Sequence, residues 1–247
     1  MSTTAVLRSE WIKIKSLRAG AISLISVFVA MVGITVLVFA NIGQPQAELD
    51  GDAFDPVHFA FYALLFGQVA AISFGTTAVS SEYLNGALRI SLAAVPNRGI
   101  FYAAKIALVG ALALAVGMVT SFVTFLSGQA FMGEYAIGLG DPGALRATVG
   151  AGIYLALMAL FAAGLAALFR SGVGVLSLLI PLVLIVSFVI GDVSSGSAQY
   201  LPDRAGQQVL LQHPEGTLGP WSGLGVLALW AAAAVAAGWF AVKRRDA

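Results

Sequence analysis

The chain of 247 residues contains no cysteine and few charged residues. Without cysteine it can form no disulfide, no thiolate metal site and no cysteine nucleophile. Charged residues make up 10% of the sequence, against about 25% in a soluble globular domain. Hydrophobic residues make up 59%, and the mean hydropathy is +0.92. A chain this apolar could not cover its surface in water, so we predict a membrane protein.

The sequence also lacks the motifs of common catalytic sites. It contains no G-x-x-x-x-G-K-[ST] phosphate-binding loop, no H-E-x-x-H metal motif and no G-x-S-x-G nucleophile motif. Its two histidines, His58 and His213, are far apart, which favours solvated or capping roles over a metal site. No charged residue lies deep in an apolar run, which argues against an ion-coupled carrier. We predict no enzyme activity, no catalytic residue, no metal site and no cofactor in this chain, and no nucleic-acid partner at a net charge of +1.

Long apolar windows without charge divide the sequence. Each window can hold the roughly 20 apolar residues that a spanning helix needs, and none alternates as a barrel strand does. The sequence therefore predicts an all-α membrane protein with six transmembrane helices. They are expected near residues 20–41, 57–80, 105–127, 147–169, 172–191 and 221–242.

The basic residues indicate the orientation of these six helices. An even number of spans places both termini on one side of the membrane. Eleven of the 13 lysines and arginines fall on the side of the termini, and only Arg146 and Arg204 fall on the other. Positive charge marks the cytoplasmic side, so both termini and the loop of residues 81–104 are predicted to be cytoplasmic.

Two segments are predicted on the outer side, and one proline within a span. We expect the acidic segment from Gly43 to Pro56 to be a solvated loop. Residues 192–220 form the longest outer segment, and Pro202 in it suits the first turn of a helix. We expect a short helix there that lies on, or dips into, the outer face. Pro181 is expected to bend the fifth span, because it lacks a backbone N–H.

Residues 1–18 precede the first span and carry an amphipathic pattern. Leu7, Trp11 and Ile14 follow the i, i+4, i+7 spacing of one helical face, with Arg8 and Lys15 beside them. This pattern favours a helix that lies in the inner membrane interface. An ordinary basic flank that sets the topology is the alternative.

The second span carries a stripe of hydroxyl side chains. Ser73, Thr76, Thr77 and Ser80 lie within about a third of a turn on a period of 3.6 residues. Two interpretations are open: the stripe lines a substrate path, or the hydroxyls join helices and bond to their own backbone. The second is favoured, because hydroxyl residues are common in spans.

The loop from Ser81 to Arg98, with the sequence SEYLNGALRISLAAVPNR, resembles the first cytoplasmic loop of the ABC-2 family of ABC transporter permeases. That loop often reads as an acidic residue, Gly-Thr-Leu/Ile-Arg, a short apolar run, Pro and Arg. Ala87 departs from this pattern, because threonine is commoner there. The start of the chain (Leu7 to Lys13) and the stretch Tyr200-Leu201-Pro202 with Ala205-Gly206 are also similar to the family. The residues of the loop that match are Glu82, Gly86, Leu88, Arg89, Pro96 and Arg98.

The resemblance implies a permease subunit that acts as a homodimer or heterodimer with a separate cytoplasmic ABC ATPase, which binds the ATP and magnesium. It also implies that loop 81–104 forms a coupling helix seated in a groove of that ATPase, with the interfacial helix nearby. A membrane-edge role for Glu82 and Arg89 is the alternative. The candidate contacts with the ATPase are Glu82, Tyr83, Asn85, Gly86 and Arg89.

The remaining expectations concern cargo and location. Apolar spans suit export of a hydrophobic or amphipathic drug, peptide or lipid across a cell membrane, and a bacterial plasma membrane is expected. A non-transport membrane scaffold or assembly protein is the alternative function.

Overall fold

The computed structural model describes residues 3–51, 54–84, 86–186, 189, 196–212 and 217–244. These residues form helices and the turns between them, and no strand occurs among them. The all-α prediction is therefore confirmed. In this part of the chain five helices are long and apolar enough to cross a membrane: Arg18–Asp50, Leu64–Tyr83, Arg98–Gln129, Ala144–Phe169 and Pro220–Arg244.

The first span is longer than predicted. Helix α1 (Thr3–Ser16) leads through Leu17 into α2 (Arg18–Val38), which continues through a π-helical turn into α3 (Gln44–Asp50). The expectation of a loop from Gly43 onward is wrong as far as Asp50, because this segment is helical, although Glu48 and Asp50 are exposed. The Gln44 side chain donates to the carbonyl oxygen of Phe131 at 2.9 Å, and Ala47 is buried. This packing holds the acidic segment in a helix.

The second predicted span is interrupted near its start. Helix α4 (Pro56–Ala60) is capped by the Asp55 carboxylate, which accepts from the backbone N–H of His58 at 2.8 Å. A turn then separates α4 from α5 (Leu64–Ser80).

Loop 81–104 is mostly helical. A short 3-10 turn over Ser81–Tyr83 precedes α6 (Ala87–Ala94). Helix α7 (Arg98–Gln129) begins earlier than the predicted boundary near 105. The Asn97 side chain fixes that start, because it accepts from the backbone N–H groups of Gly99 and Ile100 at 3.0 and 3.1 Å.

Helix α8 (Ala144–Phe169) lies at the centre of the bundle, against α5, α7 and the last helix, α11 (Pro220–Arg244). Small residues permit these contacts. A Cβ atom at Gly75 of α5 would overlap the carbonyl oxygen of Ala159, and one at Gly164 would overlap the backbone of Ala234. Close approach of helix backbones through small residues is typical of packing within membranes.

The fifth predicted span is described only in part. Helix α9 (Gly172–Pro181) passes into a π-helical turn over Leu182–Val186, and the two together are shorter than the five spanning helices. The change from α- to π-helix follows Pro181, whose missing N–H removes one bond of the α-helical ladder. Apart from Val189, the remainder of this predicted span lies outside the described residues.

The segment before the last helix contains a short buried helix, α10 (Pro202–Gln207), which packs against α8 and α11. Asp203 and Ala205 of α10 are buried. A Cβ atom at Gly223 of α11 would overlap the carbonyl oxygen of Ala205. Helix α10 therefore inserts against the bundle and is in direct backbone contact with α11.

Candidate functional site

Four charged side chains and one hydroxyl meet at the end of the bundle that holds loop 81–104. Because α1, the turn after α5, α6 and α7 all contribute, residues distant in sequence come together. We call this group the ion-pair cluster. It consists of Glu10 and Lys13 of α1, Glu82 of the 3-10 turn, Ser91 of α6 and Lys105 of α7.

The cluster is joined by short contacts. The Lys105 Nζ lies 2.6 Å from Glu10 Oε2 and 2.8 Å from Glu82 Oε1. The Lys13 Nζ lies 2.7 Å from Glu10 Oε1 and 3.1 Å from Glu82 Oε1. Lys13 also donates to Ser91 Oγ at 2.8 Å, and the Ser91 hydroxyl donates to Glu82 Oε2 at 2.8 Å. Two carboxylates and two ammonium groups thus balance in charge.

The cluster is largely removed from solvent. Glu10 is 1% exposed, Lys105 2% and Glu82 5%, whereas Lys13 is half-buried. The Phe101 ring lies 5.2 Å from Lys13 Nζ and 5.6 Å from Lys105 Nζ, so it covers both cations with an aromatic face. Breaking a buried ion pair costs about 3–5 kcal/mol, because the remaining charge is left unpaired. The cluster therefore fastens α1 and α6 to the transmembrane helices.

A small apolar core lies beside the cluster and includes Val6 of α1, Leu88 of α6 and Phe101 of α7. Its α6 members, together with Ser91, form the inner face of that helix. The outer face of α6 carries Arg89 and Ile90, and Ile90 is 73% exposed. Helix α6 is thus packed against the protein through its inner face, and its outer face is a mixed apolar and basic surface.

The residues predicted to contact the ATPase differ in their burial and in their partners within the protein. Glu82 is buried in the ion-pair cluster. The Tyr83 hydroxyl donates to the carbonyl oxygen of Ala167 at 3.4 Å, and its ring lies 5.7 Å from the Arg170 guanidinium. Gly86 and Arg89 are exposed, and Gly86 begins α6 with a left-handed φ of +73°. Asn85 lies outside the described residues.

The three predicted interfacial residues are also divided. Ile14 is buried and joins the main core, whereas Leu7 and Trp11 are exposed. The buried strip of α1 runs through Val6, Glu10 and Ile14 instead. The sequence pattern assigns Leu7, Trp11 and Ile14 to the membrane interface, which stays a prediction. It does not indicate the buried strip, because Glu10 in that strip is acidic and gives no hydrophobic signal.

The predicted hydroxyl stripe of α5 bonds mainly within its own helix. Ser73 donates to the carbonyl oxygen of Val69, and Thr77 to that of Ser73, each at 2.8 Å. Thr76 is buried, and Ser80 faces Gly172 at the start of α9. The contacts of Ser73 and Thr77 are those of the backbone-bonding alternative, and nothing observed tests a substrate path.

A polar network inside the bundle has no counterpart in the predicted sites. The Tyr154 hydroxyl of α8 donates to the side-chain carbonyl of Gln68 on α5 and accepts from Gln207 Nε2 of α10 at 3.2 Å. Gln68 and Tyr154 are fully buried. Gln68 stands out in its apolar run, but the sequence gives no indication of its partners.

The helical architecture indicates the general class of protein. Apolar helices packed through small residues, with an amphipathic N-terminal helix and a short loop helix at one end, are those of a multi-span integral membrane protein. The family model described as ABC-2 family transporter protein matches residues 6–190, from α1 through the region of α9. The match covers most of the chain and all of the ion-pair cluster, so the chain belongs to the ABC-2 transporter family. Its members are membrane transport components rather than catalytic enzymes. No curated protein matches the chain.

Proposed function

We propose that this chain is the transmembrane permease subunit of an ATP-driven ABC-2 transporter, powered by a separate cytoplasmic ABC ATPase that binds ATP and magnesium. Family membership and the apolar spanning helices support a transport role. The sequence contains no phosphate-binding loop, so another subunit would have to supply the ATPase site. The proposed cargo is a hydrophobic or amphipathic drug, peptide or lipid, exported across a bacterial plasma membrane.

The observation that carries this proposal is the outer face of α6. Exposed apolar residues among polar ones mark interaction surfaces, and Ile90 and Leu84 are such residues, with Arg89 beside them. We place the ATPase on this surface. Gly86 and Arg89 contact the ATPase in this proposal, and Tyr83 and Asn85 border the contact. Glu82 does not contact the ATPase directly in this proposal. It positions α6 from the buried side, because its carboxylate accepts from the Ser91 hydroxyl.

The ion-pair cluster suits the transmission of movement from α6 to the spans. A displacement of α6 by the ATPase acts on Ser91 and Glu82, and through Lys105 on α7. The contact of Tyr83 with Arg170 extends this link to the turn between α8 and α9. Nucleotide binding can drive transport only if these contacts differ between the two states of the transporter.

The proposal includes a complete topology and a dimer. Helix α9 and its π-helical turn, extended to about residue 191, form the fifth of the six spans, and both termini face the cytoplasm. The concentration of 11 of the 13 lysines and arginines on one side supports this orientation. A second copy of the chain, or a sister permease, completes the transport path.

The test is a mild-detergent pull-down of the tagged chain with mass spectrometry of the bound proteins. We expect an ATPase in near-equal amount with the unaltered chain and at least about a tenfold loss with Ile90→Asp, because a carboxylate is placed in the contact. Leu49→Asp is the matched control, since Leu49 is an exposed residue of α3 at the opposite end of α2. A folded chain that purifies without any ATPase would favour the scaffold alternative.

A further inference from the structure

The charged residues exposed in the described part of the proposed cytoplasmic side are all basic. In the described part of that side the acidic residues are Glu10 and Glu82, and both are buried in the ion-pair cluster. Of the described arginines and lysines outside the cluster on that side, Arg98 and Arg170 are half-buried and the others are exposed. Those of α1 and the start of α2 are Arg8, Lys15 and Arg18, all exposed. Burial of the acids therefore leaves α1 with a basic outer surface.

The exposed residues of α1 are arranged in strips. At about 100° per residue, Leu7 and Trp11 lie next to the buried strip, and Arg8 and Lys15 lie beyond them. Leu7 and Trp11 are large apolar residues that face away from the protein. Apolar and aromatic side chains bordered by cations are the pattern of a helix at the boundary between acyl chains and headgroups.

Within the described residues, Arg8, Lys15 and Arg18 differ from Lys13 in their ionic contacts. Among the salt bridges of the described residues, none involves Arg8, Lys15 or Arg18, whereas Lys13 on the same helix belongs to the ion-pair cluster. The opposite face of α1 is fixed by Val6, Glu10 and Ile14, so these cations are held in place beside the apolar strip.

We infer that the outer face of α1, formed by Leu7, Arg8, Trp11 and Lys15, binds the headgroups of anionic phospholipids. The cations supply the charge complementarity, and the apolar strip selects a lipid over a free phosphate, because acyl chains bury Leu7 and Trp11. The inference rests on the membrane orientation in the proposed function, but it does not require that an ATPase bind α6.

The consequence for the transporter follows from the shared cluster. Glu10 and Lys13 of α1 contact Lys105, Glu82 and Ser91. A lipid that holds α1 in place therefore also stabilises the ion-pair cluster, which contacts α6 through Ser91.

The experiment measures which lipid lies against Trp11. The full chain with Trp221, Trp230 and Trp239 replaced by phenylalanine is reconstituted into phosphatidylcholine–phosphatidylglycerol bilayers. Trp11 fluorescence is then quenched by brominated phosphatidylglycerol or by brominated phosphatidylcholine at equal mole fraction. We expect about a fivefold preference for the anionic lipid, the effect of roughly one basic residue at a membrane surface.

Two double variants make the test specific. Arg8→Gln with Lys15→Gln should reduce the preference to about one. Lys243→Gln with Arg244→Gln removes the same charge from exposed positions of α11 and should leave the preference unchanged. If the triple phenylalanine variant does not fold, the quenching of Trp11 by each lipid is obtained instead as the difference in quenching between the unaltered chain and Trp11→Phe.

Each contrary result overturns the inference. Equal quenching by the two lipids in the unaltered α1 would show that the surface does not select charge. An equal loss in both double variants would assign the effect to net charge rather than to α1. Absence of quenching by either lipid would place α1 outside the interface. None of these readings depends on the ATPase, so a failed pull-down is a separate result.

Discussion

Lys105 is the residue on which the ion-pair cluster depends most, because its ammonium group contacts both carboxylates and is almost completely buried. We predict that Lys105→Met destabilises the protein by about 3–5 kcal/mol, since two buried carboxylates would then share Lys13 alone. The melting temperature in detergent should fall by roughly 10 °C. Thermal unfolding followed by tryptophan fluorescence measures this change.

The matched control is Lys243→Met, which removes a lysine at an exposed position of α11. Its melting temperature should remain within a few degrees of the unaltered protein, as is usual for surface substitutions. Equal melting temperatures for the two variants would contradict a structural role of the cluster.

The members of the cluster were visible in the sequence, but their association was not. Lys13 and Glu82 are separated by 69 positions, and Lys105 follows Glu82 by 23. Hydropathy and helical periodicity describe neighbours along one helix, so they carry no information on contacts at this distance. The family resemblance predicts Glu82 as a contact with the ATPase, and nothing in the sequence indicates that Glu10 is buried, since carboxylates mostly lie at the surface.

At the scale of elements, α10 is the segment whose position depends most on backbone contact. We predict that Gly223→Ala displaces α10 from α11, because the added methyl group would overlap the carbonyl oxygen of Ala205, which cannot rotate away. Since the chain has no cysteine, Val209→Cys provides a single label site at a buried position just after α10. Its reaction with a maleimide should be slow in the unaltered background and at least about tenfold faster with Gly223→Ala.

Gly225→Ala is the control for this measurement, because nothing lies within 4 Å of a Cβ atom at Gly225. It adds the same methyl group to the same helix and should leave Val209→Cys protected. Rapid labelling in both variants would mean that α10 is mobile regardless of Gly223.

Hydropathy predicts helix positions well where a helix is continuously apolar, and less well where contacts with neighbouring segments determine the conformation. It found α8 and α11 to within a few residues, because they are continuously apolar, and it found α7 apart from the first turns between Arg98 and Lys105. It missed the helical course to Asp50, since Glu48 and Asp50 carry charge, and the break after Ala60, since Phe61 to Ala63 are apolar. In both cases neighbouring groups decide the conformation. The carbonyl oxygen of Phe131, in the turn after α7, accepts from Gln44 of α3, and the Asp55 side chain caps the start of a separate short helix, α4.

At the scale of the whole molecule, the proposed six-span topology predicts which positions face outward. Cysteines introduced singly at Leu49 of α3 and at Ser197 before α10 should react with a membrane-impermeant maleimide in intact cells. A cysteine at Ala93 of α6 should react only after permeabilisation. All three positions are exposed in the structure, so access across the membrane decides the outcome.

Ser197 is the position that tests whether α9 and its π-helical turn cross the membrane. If α9 and its π-helical turn crossed the membrane incompletely, Ser197 would lie on the same side as Ala93 and would stay protected in intact cells. Labelling of Leu49 and Ser197 alike would establish the predicted arrangement.

The central position of α8 has a consequence for the order of synthesis. Its contacts with α5 and α7 can form as soon as α8 leaves the ribosome, whereas Gly164 and Tyr154 wait for α11 and α10, which follow α8 in the chain. The bundle therefore closes only after α10 and α11 have been made. Until then, the face of α8 around Gly164 lacks the helix that covers it and is open to lipid.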